Sequence, residues 1–141
     1  MKIAVIYSSI TGNTKKIAKA IAQEIGADLF PVKSPPKLQD YDLIFLGSGT
    51  YGNRPHQSLI SFIKKTNLSA KKVAGFMTYA SNRKGLDFLE ALLLDKKAKI
   101  IGLWGTTSRI IFILKRSHPD KSELSSALIF AKNIVQKIKK S

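Results

Sequence analysis

The 141-residue chain contains no cysteine, and that absence removes disulfides, thiolate metal centres and a cysteine nucleophile together. Histidine is nearly missing too: His56 and His118, with no third ligand nearby, do not make a zinc site. No run approaches the ~20 apolar residues that span a bilayer. The apolar stretch at residues 3–7 is too short for the core of a secretory leader, and no small-residue cleavage site follows it. A cytoplasmic protein with no transmembrane segment is therefore expected.

Acid is scarce. Glu24, Asp28, Asp40, Asp42, Asp87, Glu90, Asp95, Asp120 and Glu123 stand against 24 lysines and arginines, for a net charge of +15. None of these acids falls between residues 43 and 86, which hold Arg54, Lys64, Lys65, Lys71, Lys72, Arg83 and Lys84. Such a surplus fits an anionic partner (nucleic acid, an acidic protein or a membrane surface) or a lysine-rich solvated surface. The cations are spread along the chain rather than gathered in one arm, so charge is the sole support for nucleic-acid binding and no specific nucleic acid is expected.

The remaining composition, 44% hydrophobic and 23% charged, is that of an ordinary globular protein. The length fits one domain over residues 1–141, with no repeat, linker or low-complexity stretch to divide it. Residues 3–7 read as a buried strand. Residues 14–26 switch to helical period, with Ile17, Ala18, Ile21, Ala22 and Ile25 on one face and Gly26 as the stop. A short strand at 28–33 and a Pro-rich loop come next. Strands are then expected at 43–46, 73–79 and 99–103, with helices at about 56–66 and 84–94 between them. Leu124, Ala127, Leu128, Ala131, Ile134, Val135 and Ile138 keep the i, i+3, i+4 rhythm of a final helix. Strands alternating with helices predict an α/β fold, a parallel sheet covered on both faces.

The first strand–helix junction reads Ser8-Ser9-Ile10-Thr11-Gly12-Asn13-Thr14. In an open α/β sheet this junction presents a helix N-terminus, whose free N–H groups favour an anion. Ser9, Thr11 and Thr14 add hydroxyls, and Gly12 permits a tight turn. The loop suits one phosphate without a metal. It lacks the Gly-Lys-Ser/Thr of a nucleotide P-loop and the carboxylates of a phospho-receiver domain. The blander alternative is a plain hydroxyl cap. After the third strand, residues 47–52 spell G-x-G-x-x-G. A dinucleotide-binding turn is disfavoured, because the motif does not open the domain, no acid lies about 20 residues on, and Pro55 interrupts the step into the helix.

Ser9-Ile10-Thr11-Gly12-Asn13-Thr14 resembles the S/T-x-T-G-x-T phosphate loop of flavodoxins, and Thr50-Tyr51-Gly52-Asn53 resembles their flavin-stacking loop. His118-Pro119-Asp120, leading into the last helix, is similar to the same family. The resemblance implies a flavodoxin-like three-layer sandwich with a five-stranded sheet in the order 2-1-3-4-5 and FMN as cofactor. It assigns the phosphate to Ser9, Ile10, Thr11, Gly12, Asn13 and Thr14. It assigns the ring to Gly49, Thr50, Tyr51, Gly52 and Asn53, and the pyrimidine edge to backbone amides of Tyr79, Ala80, Ser81 and Asn82, with Tyr79 either a second stacking aromatic or the last core residue of its strand. Tyr51 would stack on the ring. Gly52 and Asn53 tolerate positive φ, which would ease the redox-linked peptide flip of that family. The third loop departs from flavodoxins that carry an obvious aromatic further along it.

The function implied is electron transfer, one or two electrons between redox partners, with no catalytic side chain because the cofactor holds the chemistry. An FMN-dependent oxidoreductase, such as a quinone reductase or a flavodoxin-like protoporphyrinogen oxidase, is the alternative; a flavin-free anion-binding domain is a second. The positive field predicts an acidic protein partner, and a monomer or weak homodimer is expected. His56 is read either as a group beside the flavin that donates a proton or steers an anionic substrate, or as a helix-start histidine, and His118 as a capping or packing residue. Residues 106–117 are read as a strand extension, a protomer contact or a membrane-surface patch.

Overall fold

The computed structural model describes residues 1–80, 82–107 and 121–140. Five strands, β1 (Ile3–Ser8), β2 (Asp28–Pro31), β3 (Leu43–Gly49), β4 (Lys72–Ala80) and β5 (Lys99–Thr107), alternate with helices α1 (Asn13–Ile25), α2 (Gln57–Lys65), α3 (Lys84–Asp95) and α4 (Lys121–Lys140). All strand pairs are parallel, in the order β2-β1-β3-β4-β5. The expected α/β sandwich and its 2-1-3-4-5 order are both observed.

The continuous apolar runs hide a period of two, because both faces of the sheet are covered. Ala4 and Ile6 point to the core made with Leu59, Phe62 and Ile63 of α2 and Leu86, Leu89 and Leu93 of α3. Ile3, Val5 and Tyr7 point to the opposite core, made with Ile17, Ala18, Ile21 and Ala22 of α1 and Ala127, Ala131 and Ile134 of α4. Each helix contributes one apolar stripe, and burial of these stripes is the main force holding the three layers together.

Four strands run further than expected, β1 and β4 by only a residue at an end, and one is shorter. β3 continues through Gly47, Ser48 and Gly49, and β5 extends to Thr107, whereas β2 stops at Pro31. Gly47 lies opposite Phe76 in the ladder, and a Cβ there would fall inside the Phe76 ring. Its lack of a side chain is thus a packing requirement of the strand. The readings placed on residues 108–117 and on His118, Pro119 and Asp120 lie outside the described residues.

Candidate functional site

The loops after β1, β3 and β4 meet at the C-terminal edge of the sheet, beside the point where the order reverses between β1 and β3. Ligands of open α/β sheets bind at such a reversal. Gly12 caps α1 in the left-handed region (φ 90°), makes no side-chain cap hydrogen bond, and is followed by a first turn without acid. A Cβ on Gly12 would meet nothing within 4 Å, so the loop is open on that side. Its carbonyl accepts from the Lys16 N–H at 3.1 Å, which starts the helix.

Ser9 Oγ accepts from the N–H of Gly12 at 3.0 Å and, at longer range, of Lys15 at 3.4 Å. A hydroxyl oxygen thus faces amides that suit an oxyanion. Thr11 Oγ1 accepts from Asn13 Nδ2 at 3.2 Å, and the Ile10 side chain is 64% exposed at the tip. Thr14 differs from its neighbours. It is buried, and its hydroxyl sits 2.9 Å from that of Thr78 on β4. If Thr78 is the donor of that pair, the Thr14 proton stays available to a second acceptor.

The second loop is a two-residue hairpin. Tyr51 N–H donates to Arg54 O at 2.8 Å, Arg54 N–H returns the bond at 3.2 Å, and Thr50 bridges Pro55 in antiparallel fashion. Gly52 and Asn53 have φ of 59° and 63°, the signature of a type I′ turn. The positive φ expected at both residues is therefore present. Gly49 ends β3 fully within the fold, and the Tyr51 side chain lies against it, its Oη 3.0 Å from where a Cβ would stand. The Tyr51 ring also meets His56 edge-on, with centroids 5.2 Å apart, and keeps 37% of its surface exposed.

Of the third loop, the Tyr79 and Ala80 backbones end β4, while their side chains and all of Ser81 lie outside the described residues. Asn82 Oδ1 accepts from Lys84 N–H at 2.8 Å and so caps the start of α3. The described site therefore brings together the first two loops and the edge of the third.

Sequence reasoning missed the hydroxyls that tie these loops together. Ser8, Ser48 and Thr78 end the apolar stretches of β1, β3 and β4, and all three are buried. Thr78 O accepts from Thr50 Oγ1 at 2.7 Å, and Ser48 Oγ accepts from the His56 N–H at 2.9 Å. Ser8 and Ser58 hydroxyls lie 2.7 Å apart. The available signal was positional: a lone polar residue closing each buried strand needs a partner. His56 is the N-cap of α2, the helix-start role, with Nδ1 accepting from Ser58 N–H at 3.1 Å.

Two clefts flank Ile10 and His56. One, of about 550 Å³, is bordered by Tyr51, Gly52 and Arg54; the other, of about 490 Å³, runs from the first loop towards Lys33. No carboxylate lines either cleft. Arg54 stacks its guanidinium over Phe88 at 5.0 Å, leaving a cation beside the hairpin. Among the described residues no group of three or more His, Cys, Asp or Glu side chains could hold a metal, and no helix is long and apolar enough to cross a membrane.

A flavodoxin-domain family profile matches residues 4–103. An uncharacterised protein of Methanocaldococcus jannaschii is 34% identical, the match covering 96% of this chain and 99% of that one. Rubredoxin:oxygen oxidoreductase of Desulfovibrio gigas superposes with a TM-score of 0.78 at 16% identity over 98% of this chain, which spans only 36% of that longer one. A flavoprotein of Lactobacillus acidophilus solved in complex with FMN gives a TM-score of 0.65 at 17% identity, covering 82% of this chain and 99% of that one.

Proposed function

The chain belongs to the flavodoxin-domain family, and on that premise we propose that it binds FMN non-covalently and passes electrons through it to and from protein partners. The observation that carries this reading is a juxtaposition. An acid-free, open helix start at Gly12 lies beside a type I′ hairpin that presents a half-exposed tyrosine. The donor set suits a phosphomonoester: backbone N–H groups, hydroxyls and no metal ligand.

When bound, FMN supplies one- and two-electron redox chemistry. The chain's own residues bind and orient it. Thr11, Gly12, Asn13 and Thr14 hold the phosphate, with Ser9 setting the loop and Ile10 covering its tip. Tyr51 offers its ring to the flavin, and the Gly52–Asn53 turn offers backbone groups that adopt positive φ without strain. Gly49 and Thr50 seat that hairpin on β3 and β4. Backbone groups of residues 79–82 are assigned to the pyrimidine edge. Arg54 and Lys84, with Arg83 paired to Asp87, leave this end of the molecule a positive field, which suits an acidic partner protein.

The test is a pair of substitutions in the first loop, Thr11→Ala with Thr14→Val, the second keeping the shape of a buried residue. Two hydrogen bonds to a charged group, each about 1.5–3 kcal/mol, amount to a loss of FMN affinity of at least about hundredfold. Riboflavin, which has no phosphate, should change less than about threefold. An equal effect on both ligands refutes the phosphate assignment.

A further inference from the structure

The cleft of about 490 Å³ begins at Ser9 and Gly12 of the first loop and runs to Pro31, Val32 and Lys33 at the end of β2. Its position follows from the sheet order. The loops assigned to the flavin ring belong to β3 and β4, the phosphate loop belongs to β1, and β2 lies on the far side of β1. The cleft adjoins the phosphate loop on its β2 side, with His56 and Ser58 of the β3–α2 junction along its other wall.

The chemistry of the walls is that of an anion site with an apolar side. Lys15 and Lys33 line it, no carboxylate does, and neither ammonium forms an ion pair among the described residues. His56 adds a donor. Ser58 N–H donates to Nδ1 at 3.1 Å, which places the ring proton on Nε2. The Ser58 hydroxyl, 2.7 Å from Nδ1 and 2.7 Å from Ser8 Oγ, fixes the ring from the same side. Nε2–H has no partner among the described residues, and His56 borders the cleft. Tyr7, Pro31 and Val32 supply flat and apolar surface. A volume of about 490 Å³ falls in the range of cofactor pockets, roughly 300–1,000 Å³.

We propose that this cleft is a subsite for a second phosphate and its attached nucleoside, so that the chain accepts a pyrophosphate-linked flavin, FAD, as well as FMN. The inference rests on the FMN reading. Lys15 and Lys33 neutralise the second phosphate, His56 Nε2–H donates to it, and the nucleoside lies against Pro31 and Val32. Lys15 adjoins the first phosphate as well, which leaves Lys33 as the side chain that distinguishes the two ligands.

The experiment titrates the full-length apoprotein with FMN and with FAD by calorimetry at fixed salt, in the native form, Lys33→Glu and Pro31→Trp. Both substitutions fall on exposed residues. FAD should bind one to one, with a dissociation constant within about tenfold of that for FMN. Lys33→Glu should weaken FAD about tenfold and FMN less than about threefold. Pro31→Trp, which fills the nucleoside end, should give the same split. FAD binding more than about hundredfold weaker than FMN overturns the subsite alone, as does equal sensitivity of the two ligands to Lys33→Glu. If neither flavin binds, the FMN reading fails and the subsite fails with it.

Discussion

Replacing Gly47 by alanine would put a methyl carbon within the ring of Phe76, closer than the 3.0 Å that real Cβ contacts respect. The two residues face each other across the β3–β4 ladder, where hydrogen bonds fix the spacing of the strands. Phe76 is fully buried, in the core formed with Phe45, Ile17 and Ala131, so its ring has no solvent side to swing towards. Relief must come from an off-rotamer ring or from shifted strands. Overpacking of this kind costs about 1–3 kcal/mol, and the direct cross-strand opposition places Gly47→Ala near 3 kcal/mol. Phe76→Leu, which shortens the offending side chain, should offset part of that loss, so the double variant should be at least about 1 kcal/mol more stable than the sum of the singles. Urea unfolding at constant m-value reads all four corners of the cycle. A Gly47→Ala variant within about 0.5 kcal/mol of the native protein, or strictly additive effects, would refute the packing role assigned to Gly47.

Ser9→Ala removes the acceptor for Gly12 N–H, and thermal unfolding should show a loss of about 1 kcal/mol, the ordinary worth of a helix-start hydroxyl. Tyr41 Oη donates to Asp28 Oδ2 at 2.8 Å, and that bond, with burial and the charges of Asp28 and Asp40, holds the phenol above its ordinary value of 10.0. The folded state therefore keeps this proton more tightly than the unfolded chain. The stabilisation is complete below about pH 10 and fades as pH rises through the raised value, and Tyr41→Phe should flatten that alkaline limb in pH-dependent unfolding. Because cations favour a more negative bound flavin, Arg54→Gln should make the second one-electron potential of bound FMN more negative in a spectroelectrochemical titration. An unchanged or raised potential would count against the role of the field. Binding of an acidic redox partner should weaken steeply between low and physiological salt in surface plasmon resonance, whereas a salt-independent affinity would remove charge from the recognition.

Much of the architecture was legible because strand and helix periods alternate cleanly. Gly26, Gly12 and the Gly52–Asn53 pair stand where left-handed backbone is needed, and all four adopt positive φ. What stayed hidden depends on contacts distant in sequence. The split of β1 into Ala4 and Ile6 on one core and Ile3, Val5 and Tyr7 on the other cannot be seen in an all-apolar run. Gly47 and Gly49 read as part of a glycine-rich segment after the third strand, yet Phe76 and Tyr51 occupy the space their side chains would need. The Thr14–Thr78 hydroxyl pair joins residues 64 positions apart, so the inward turn of one phosphate-loop threonine had no local signal. His56 was legible as a helix start, but its tautomer required the positions of Ser58 and Ser8.

The most direct measurement is a fluorescence titration of FMN with the purified, flavin-stripped protein, its fold checked by circular dichroism. Stacking on Tyr51 with the phosphate seated at Gly12 predicts saturable quenching that ends at one FMN per chain. Unquenched FMN emission in the presence of excess folded protein would contradict the account at its root.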